Sequence, residues 1–379
     1  MTTIFDFLSK YSKKRYHTPG HKGDMPFGLG QLDLTEIDDG DFFPTTLLQN
    51  AQTQTAQLYD THQCRYLVGG SSMGLKAAIM SVGGNILTFD NAHKSILDGA
   101  KLARVQAFVY PLDIVRSTTH TNSPTSTQTT PQVAPQSIHP TPNTNRQSQN
   151  FCNTNHIKPP PTLDTIQKAL QQYPDTQAVV LTSPDYFGQT IDKSVVQYIQ
   201  KSGRLVINDA AHGAHFPFAD GLQQHSLIPL ADISVVSAHK TLSALTQSSL
   251  LFISNPTLIP QVDQNLSLLD TTSPSYLLLG SLEYAVNYAH QNRHKYTTLQ
   301  TTLQNFSPQI HTLPTTDYTR LVINCHQHNL SGKQLHDRLF AKNIAPEMYT
   351  PTHLVLILTP ADTPSDILTL QDTLINILQ

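Results

Sequence analysis

Residues 235–249 read VVSAHKTLSALTQSS: two valines close the apolar run DISVV, then come a serine, a histidine and Lys240. Hydroxyl side chains recur after the lysine. Only 13% of the chain is charged, so a lysine at the end of what reads as a buried strand stands out. A buried ammonium is costly unless it is paired, neutralised or used chemically. Two readings compete on this stretch alone. One is an ordinary lysine at a strand end; the other is a Schiff-base lysine, its amine kept partly neutral by desolvation and nearby positive charge.

Upstream, short apolar runs alternate with helical patterns. RYLVGG (65–70), NILTFD (85–90), VQAFVYP (105–111), AVVLTSP (178–184) and RLVIND (204–209) read as strands. AQTQTAQLYD (51–60), SMGLKAAIMSV (72–82), HKSILDGAKLA (93–103), TLDTIQKALQQY (162–173) and KSVVQYIQKSG (193–203) read as helices. This alternation predicts an α/β fold with a mostly parallel sheet flanked by helices. Downstream, LLFIS (250–254) is a further strand, and one long helix is expected over 276–305. RLVINC, SGKQLHDRLFAKN, HLVLILT and PSDILTLQDTLINIL then predict a smaller C-terminal α/β domain. The expected organisation is an N-terminal arm (1–45), a large domain (46–275) and a linking helix with the small domain (276–379).

Residues 117–150 contain no Asp, Glu or Lys and little that is apolar. Such a segment buries too little surface to offset its ordering entropy, so a disordered surface insertion is expected there. The 379 residues suffice for a large and a smaller domain. A net charge of −3 with no basic stripe argues against nucleic acid. Cys64, Cys152 and Cys325 have neither metal-ligand spacing nor a disulfide framework, which points to a reducing compartment. No signal peptide or membrane-length apolar run is legible. A soluble cytoplasmic protein is the expectation.

Three further stretches carry chemistry. Asp209 closes an apolar run in VINDAAHGAHF (206–216), so it projects from the C-terminal end of a parallel strand, where open α/β sheets bind ligands. A carboxylate there can pair with the pyridinium nitrogen of pyridoxal 5'-phosphate, or it can simply cap a helix. His212 and His215 follow it; as metal ligands they lack an obvious third partner. GGSSMG (69–74) lies between a strand and a helix, where Gly70, Ser71 and Ser72 can cradle a phosphate or merely cap the helix. His93 in NAHKS (91–95) can stack on a planar cofactor or be structural. All four stretches fall in loops after strands of one sheet, the part list of a pyridoxal-phosphate enzyme of the aspartate-aminotransferase fold type.

SAHKTLSALTQSS resembles the cofactor-lysine signature of the Orn/Lys/Arg decarboxylase family. YHTPGHKG (16–23), NAHKS (91–95), LTSPDYFG (181–188), DAAHGAHF (209–216) and TTSPSYLLLGSLEYA (271–285) resemble further blocks of that family, in order. The resemblance runs from about residue 15 to the C-terminus, interrupted at 117–150. It implies that Lys240 carries the cofactor, Asp209 pairs with the pyridinium nitrogen and His93 stacks on the ring. Ser71, Ser72, Ser237 and His239 resemble the phosphate-binding set, beside Gly70, and His212 a histidine close to the cofactor. The SPSY block, Ser273 to Tyr276, resembles a segment near the neighbouring subunit's cofactor, implying a homodimer at least. The chain departs from the family pattern at Leu75, Asp90, Asp185 and Ala210, and reads as a compact member without the wing or the extra C-terminal domain.

The activity implied is decarboxylation of arginine, lysine or ornithine to the amine, a polyamine precursor. The other readings are a different pyridoxal-phosphate reaction, such as an aminotransferase or lyase, and a non-catalytic relative. A cationic substrate side chain needs a carboxylate; Asp185, Glu347 and Glu36–Asp41 are the candidates. No metal site is expected.

Overall fold

The computed structural model describes residues 3–35, 46–112 and 157–379. The expected insertion at 117–150, Cys152 and the acidic stretch Glu36–Asp41 lie outside the described residues.

The chain begins with α1 (Ile4–Lys10), α2 (Leu29–Leu32) and α3 (Thr46–Leu58). Next come β1 (Gln63–Leu67), α4 (Gly70–Met80), β2 (Ile86–Phe89), α5 (Lys94–Ala103) and β3 (Ala107–Tyr110). They are followed by α6 (Leu163–Gln172), β4 (Ala178–Thr182), α7 (Lys193–Lys201) and β5 (Leu205–Asp209). β6 (Ile233–Val236), α8 (Ala238–Thr241), β7 (Ser249–Ile253) and α9 (Ile259–Leu269) complete this part. The seven strands form one sheet in the order β1-β7-β6-β5-β4-β2-β3. β3, β2, β4, β5 and β6 pair in parallel, whereas β7 runs antiparallel to both its neighbours, β1 and β6.

Helices on both faces explain why the central strands are apolar without a break. Alternate residues of each strand point to opposite faces. Ala178 and Val180 of β4 join Ile207, Ile233 and Val235 in a core with Ala77, Ala78 and Ile79 of α4 and Ile96 of α5. Val179 and Leu181 face the other way, into a core with Ile166 of α6 and Val195, Val196 and Ile199 of α7. Asp209 lies two residues beyond Ile207, on the α4–α5 side.

The second part holds α10 (Tyr276–Gln291), α11 (Arg293–Gln304), β8 (Arg320–Asn324) and α12 (Gly332–Phe340), then β9 (Met348–Tyr349), β10 (His353–Ile357) and α13 (Pro364–Leu378). Its three strands form an antiparallel sheet, β8-β10-β9. Leu321 and Ile323 of β8 and Leu354 and Leu356 of β10 pack with Leu335, Leu339, Ile367 and Leu374 of α12 and α13.

Three expectations change. The single helix over 276–305 is two helices, because Asn292 leaves the helical region (φ −111°, ψ 31°) and donates its side-chain amide to the Tyr288 carbonyl at 2.8 Å. α9 was not expected from PTLIPQVDQNLSLL; its Pro260 sits in the first turn, where proline lacks no bond the helix needs. Lys240 is not on a strand end. β6 stops at Val236 and the lysine lies on the single turn α8.

Candidate active site

The register of the sheet gathers the predicted residues at one edge. Thr182 pairs with Asp209 and Asp209 with Val235, so β4, β5 and β6 end level. The loops lock together beyond that line: Ser183 N–H donates to the Asp209 carbonyl (3.1 Å), Ala210 N–H to the Val235 carbonyl (2.9 Å) and Ser237 N–H to the Ala211 carbonyl (3.3 Å).

Asp209 is buried, and its Oδ1 accepts the Ala211 N–H at 3.2 Å. Burial pushes its carboxyl above the usual range, while His93 and Lys240 pull the other way. His93 is the N-cap of α5: its Nδ1 accepts the Ser95 N–H at 3.2 Å and lies 2.7 Å from the Ser95 hydroxyl. Burial lowers its pKa, opposed by Asp209 and assisted by Lys240. The three predicted residues therefore act on one another electrostatically although they lie on three separate elements.

Lys240 Nζ stands 3.1 Å from His212 Nε2 and 5.3 Å from the centre of the Tyr186 ring. Burial lowers its ammonium below the ordinary lysine value; Asp209 and Glu347 oppose that shift and Arg320 adds to it. His212 is buried, with its ring 4.4 Å from that of Tyr186 and its Nδ1 3.2 Å from an Arg320 guanidinium nitrogen. His215 turns instead to Asp317 (Nε2 to Oδ1, 3.1 Å). The two histidines thus have separate partners. Among the described residues no three His, Cys, Asp or Glu side chains group as metal ligands.

Of the residues expected to cradle a phosphate, Ser71 and Ser237 meet. Ser237 Oγ donates to Ser71 Oγ at 2.7 Å, joining the start of α8 to the first turn of α4. Gly70 takes φ +73°, and a Cβ there would find no atom nearer than 3.8 Å, so backbone conformation rather than space asks for glycine. Ser72 follows on the same turn of α4. His239 Nδ1 donates to the Ser248 carbonyl at 3.0 Å. Thr241 Oγ1, beside the lysine, is buried with no hydrogen-bond partner among the described residues.

The residues present suit pyridoxal phosphate: a buried carboxylate in reach of a histidine and a lysine, and a glycine-serine turn opening an eleven-residue helix. In the SPSY block, Tyr276 is buried and donates its backbone N–H to the Leu34 carbonyl (3.1 Å), while Ser275 Oγ lies 3.4 Å from Asp33 Oδ1. Asp185 Oδ1 accepts the N–H groups of Phe187 and Gln189, both at 2.9 Å, and so closes its own turn. Asp90 pairs with Lys158.

Arg320 and Tyr186 were not picked out from the sequence. Arg320 carried the same signal as Lys240, a cation beside an apolar run, RLVIN; Tyr186 stood unassigned in the SPDYF block.

The fold and site define a pyridoxal-phosphate architecture of fold type I. The lysine decarboxylase of Francisella novicida shares it, with a TM-score of 0.74 at 16% identity over 100% of this chain and 60% of that one. A family model described as Orn/Lys/Arg decarboxylase, major domain, matches residues 148–313. The arginine decarboxylase of Bacillus subtilis is 26% identical over 417 residues, covering 100% of this chain and 77% of the relative. An uncharacterized protein of the same organism, YaaO, is 31% identical over 307 residues, 76% of this chain and 56% of its own length. The chain thus spans little more than half the length of that relative. In sequence it is similar to the Orn/Lys/Arg decarboxylase family, and it shares the fold of the solved lysine decarboxylase.

Proposed function

We propose that this chain binds pyridoxal 5'-phosphate at Lys240 and removes the α-carboxylate of a basic amino acid: arginine, lysine or ornithine. The observation that carries the reading is the convergence of Lys240, Asp209 and His93 at one sheet edge, with the Ser71–Ser237 hydroxyl pair opening α4 beside it. Gly70, Ser71, Ser72, Ser237 and His239 would hold the phosphate, and His93 the ring face. Bound there, the cofactor supplies an electron-withdrawing pyridinium that accepts the electron pair left when carbon dioxide departs. Asp209 would hold the proton on the ring nitrogen, its buried charge offset by that cation. Lys240 Nζ, with His212 Nε2 beside it, returns a proton to Cα as general acid. Glu347, whose charge acts on Lys240, is the carboxylate for the substrate's cationic end. Asp185 is already engaged by its own turn.

The proposed organisation is an arm, a cofactor domain and a C-terminal α/β domain, assembled at least as a homodimer through the SPSY block. Among the described residues no helix is long and apolar enough to cross a membrane; a cytoplasmic location belongs to the proposal.

The test is to add pyridoxal phosphate to the purified protein, reduce with borohydride and map the adduct, then assay carbon dioxide and amine release from arginine, lysine and ornithine. Wild type is expected to carry the adduct on Lys240 and to release amine; Lys240→Ala is expected to do neither. A keto acid product would support an aminotransferase instead. An adduct without turnover would support a non-catalytic relative.

A further inference from the structure

Arg320 opens β8 in the antiparallel sheet, yet its buried guanidinium reaches the loop after β5. One terminal nitrogen is 3.2 Å from His212 Nδ1 and 3.4 Å from the His212 carbonyl oxygen. A guanidinium only donates hydrogen bonds, so Nδ1 accepts. The neutral imidazole then carries its proton on Nε2, and that nitrogen is the one 3.1 Å from Lys240 Nζ. An Nε2–H facing Nζ needs a lone pair there, which the uncharged amine has and the ammonium lacks. An ammonium donating to Nε2 would instead put the ring proton on Nδ1, against the guanidinium. Two buried donors would then face each other, leaving the imidazole N–H unsatisfied and the guanidinium nitrogen with only the His212 carbonyl at 3.4 Å.

We infer that Arg320 is a positioning residue: by holding His212 as the Nε2–H tautomer, it keeps the Lys240 amine uncharged, the form that condenses with a carbonyl group. This rests on the reading of Lys240 as the cofactor lysine. His212 stays neutral because burial, then Lys240, Arg320, His215 and His93, hold it well below the ordinary histidine value. The groups facing Lys240 are Asp209 at the end of β5, His93 at the start of α5, Tyr186 after β4, Arg320 on β8 and Glu347 before β9. Asp209 and Glu347 favour the ammonium, and Arg320 opposes it through its charge. The direction of the His212 hydrogen bond acts in addition to charge.

The test uses the cofactor-free protein. Trace acetic anhydride is added across a pH series, and acetylation of the Lys240 peptide is followed by mass spectrometry. Arg320→Met is expected to raise the midpoint of Lys240 labelling by about one pH unit when His212 is present. In a His212→Phe background the same change is expected to move it by less than half as much. An equal shift in both backgrounds, or none in the first, overturns the inference, since Arg320 would then act by charge alone or not at all. If Arg320→Met does not fold, histidine ¹⁵N NMR of the wild type reads the tautomer directly: a proton on Nε2 of His212 upholds the inference and one on Nδ1 overturns it. Failure of the underlying reading shows separately, as a borohydride adduct missing from Lys240.

Discussion

Asp185 stands in the block that links β4 to α7, and its carboxylate is held inside the protein by the N–H groups it accepts from Phe187 and Gln189. Burial pushes its pKa up to about 6, against hydrogen bonds and Arg320 that favour ionisation. An acid raised on folding binds its proton more tightly in the native state. Its contribution to stability is therefore full below the unfolded value near 4 and is lost as pH rises through 6. Asn at this position keeps the accepting oxygen and carries no charge. Asp185→Asn is expected to stabilise the protein by about 2 kcal/mol at pH 7.5, the gain shrinking towards pH 4. Urea denaturation at both pH values checks this; a gain independent of pH would remove the explanation. Lys240, Asp209 and His93 could be read from the sequence because each closes or follows an apolar run. The engagement of Asp185 could not, since it depends on how the chain turns between Ser183 and Gln189.

Among the elements, α4 has the most direct consequence for binding. Its first turn presents Gly70, Ser71 and Ser72 where helix N–H groups have no partner within the helix. The Ser71–Ser237 bond brings α8 to the same point. The double change Ser71→Ala with Ser237→Ala is expected to weaken pyridoxal phosphate binding about tenfold or more. Pyridoxal, which lacks the phosphate, is expected to bind the variant and the wild type alike. Fluorescence titration with both compounds separates a lost phosphate contact from a distorted site, because distortion weakens both. Existence and type were legible for most elements, because long apolar periodicities override local detail. The ends were less so. The break at Asn292 rests on one side chain bonding back to Tyr288, and α9, which Pro260 helps to start, had no reading in the sequence.

Across the whole molecule, a buried polar network ties the loop after β5 to the second sheet. His215 bonds Asp317, Asp317 accepts from Thr319, and Arg320 reaches back to His212. Burial alone would raise the Asp317 pKa, but His215, Arg320 and Thr319 prevail and pull it down to about 2. A carboxylate lowered on folding adds stability above its unfolded value, and that stability is lost as pH falls from about 4 through 2. This is the opposite sign to Asp185. Asp317→Ala would leave the Arg320 guanidinium buried without its counter-charge and His215 Nε2 without its carboxylate partner, at an expected cost of about 3–5 kcal/mol at pH 7. Thermal unfolding at pH 7 and pH 3 measures it, with the difference from wild type expected to narrow in acid.

The parallel sheet, the order of its loops and the lysine, aspartate, histidine and serines they carry were already specified in the chain. Strand and helix periodicity are local, and in such a sheet the residue after each apolar run is delivered to one edge. The state of Lys240 was not specified there. It depends on Arg320, eighty positions away on another sheet, and on which nitrogen of His212 that guanidinium faces. Charge, burial and hydrogen-bond direction are properties of distance in space, and only the folded chain sets those distances.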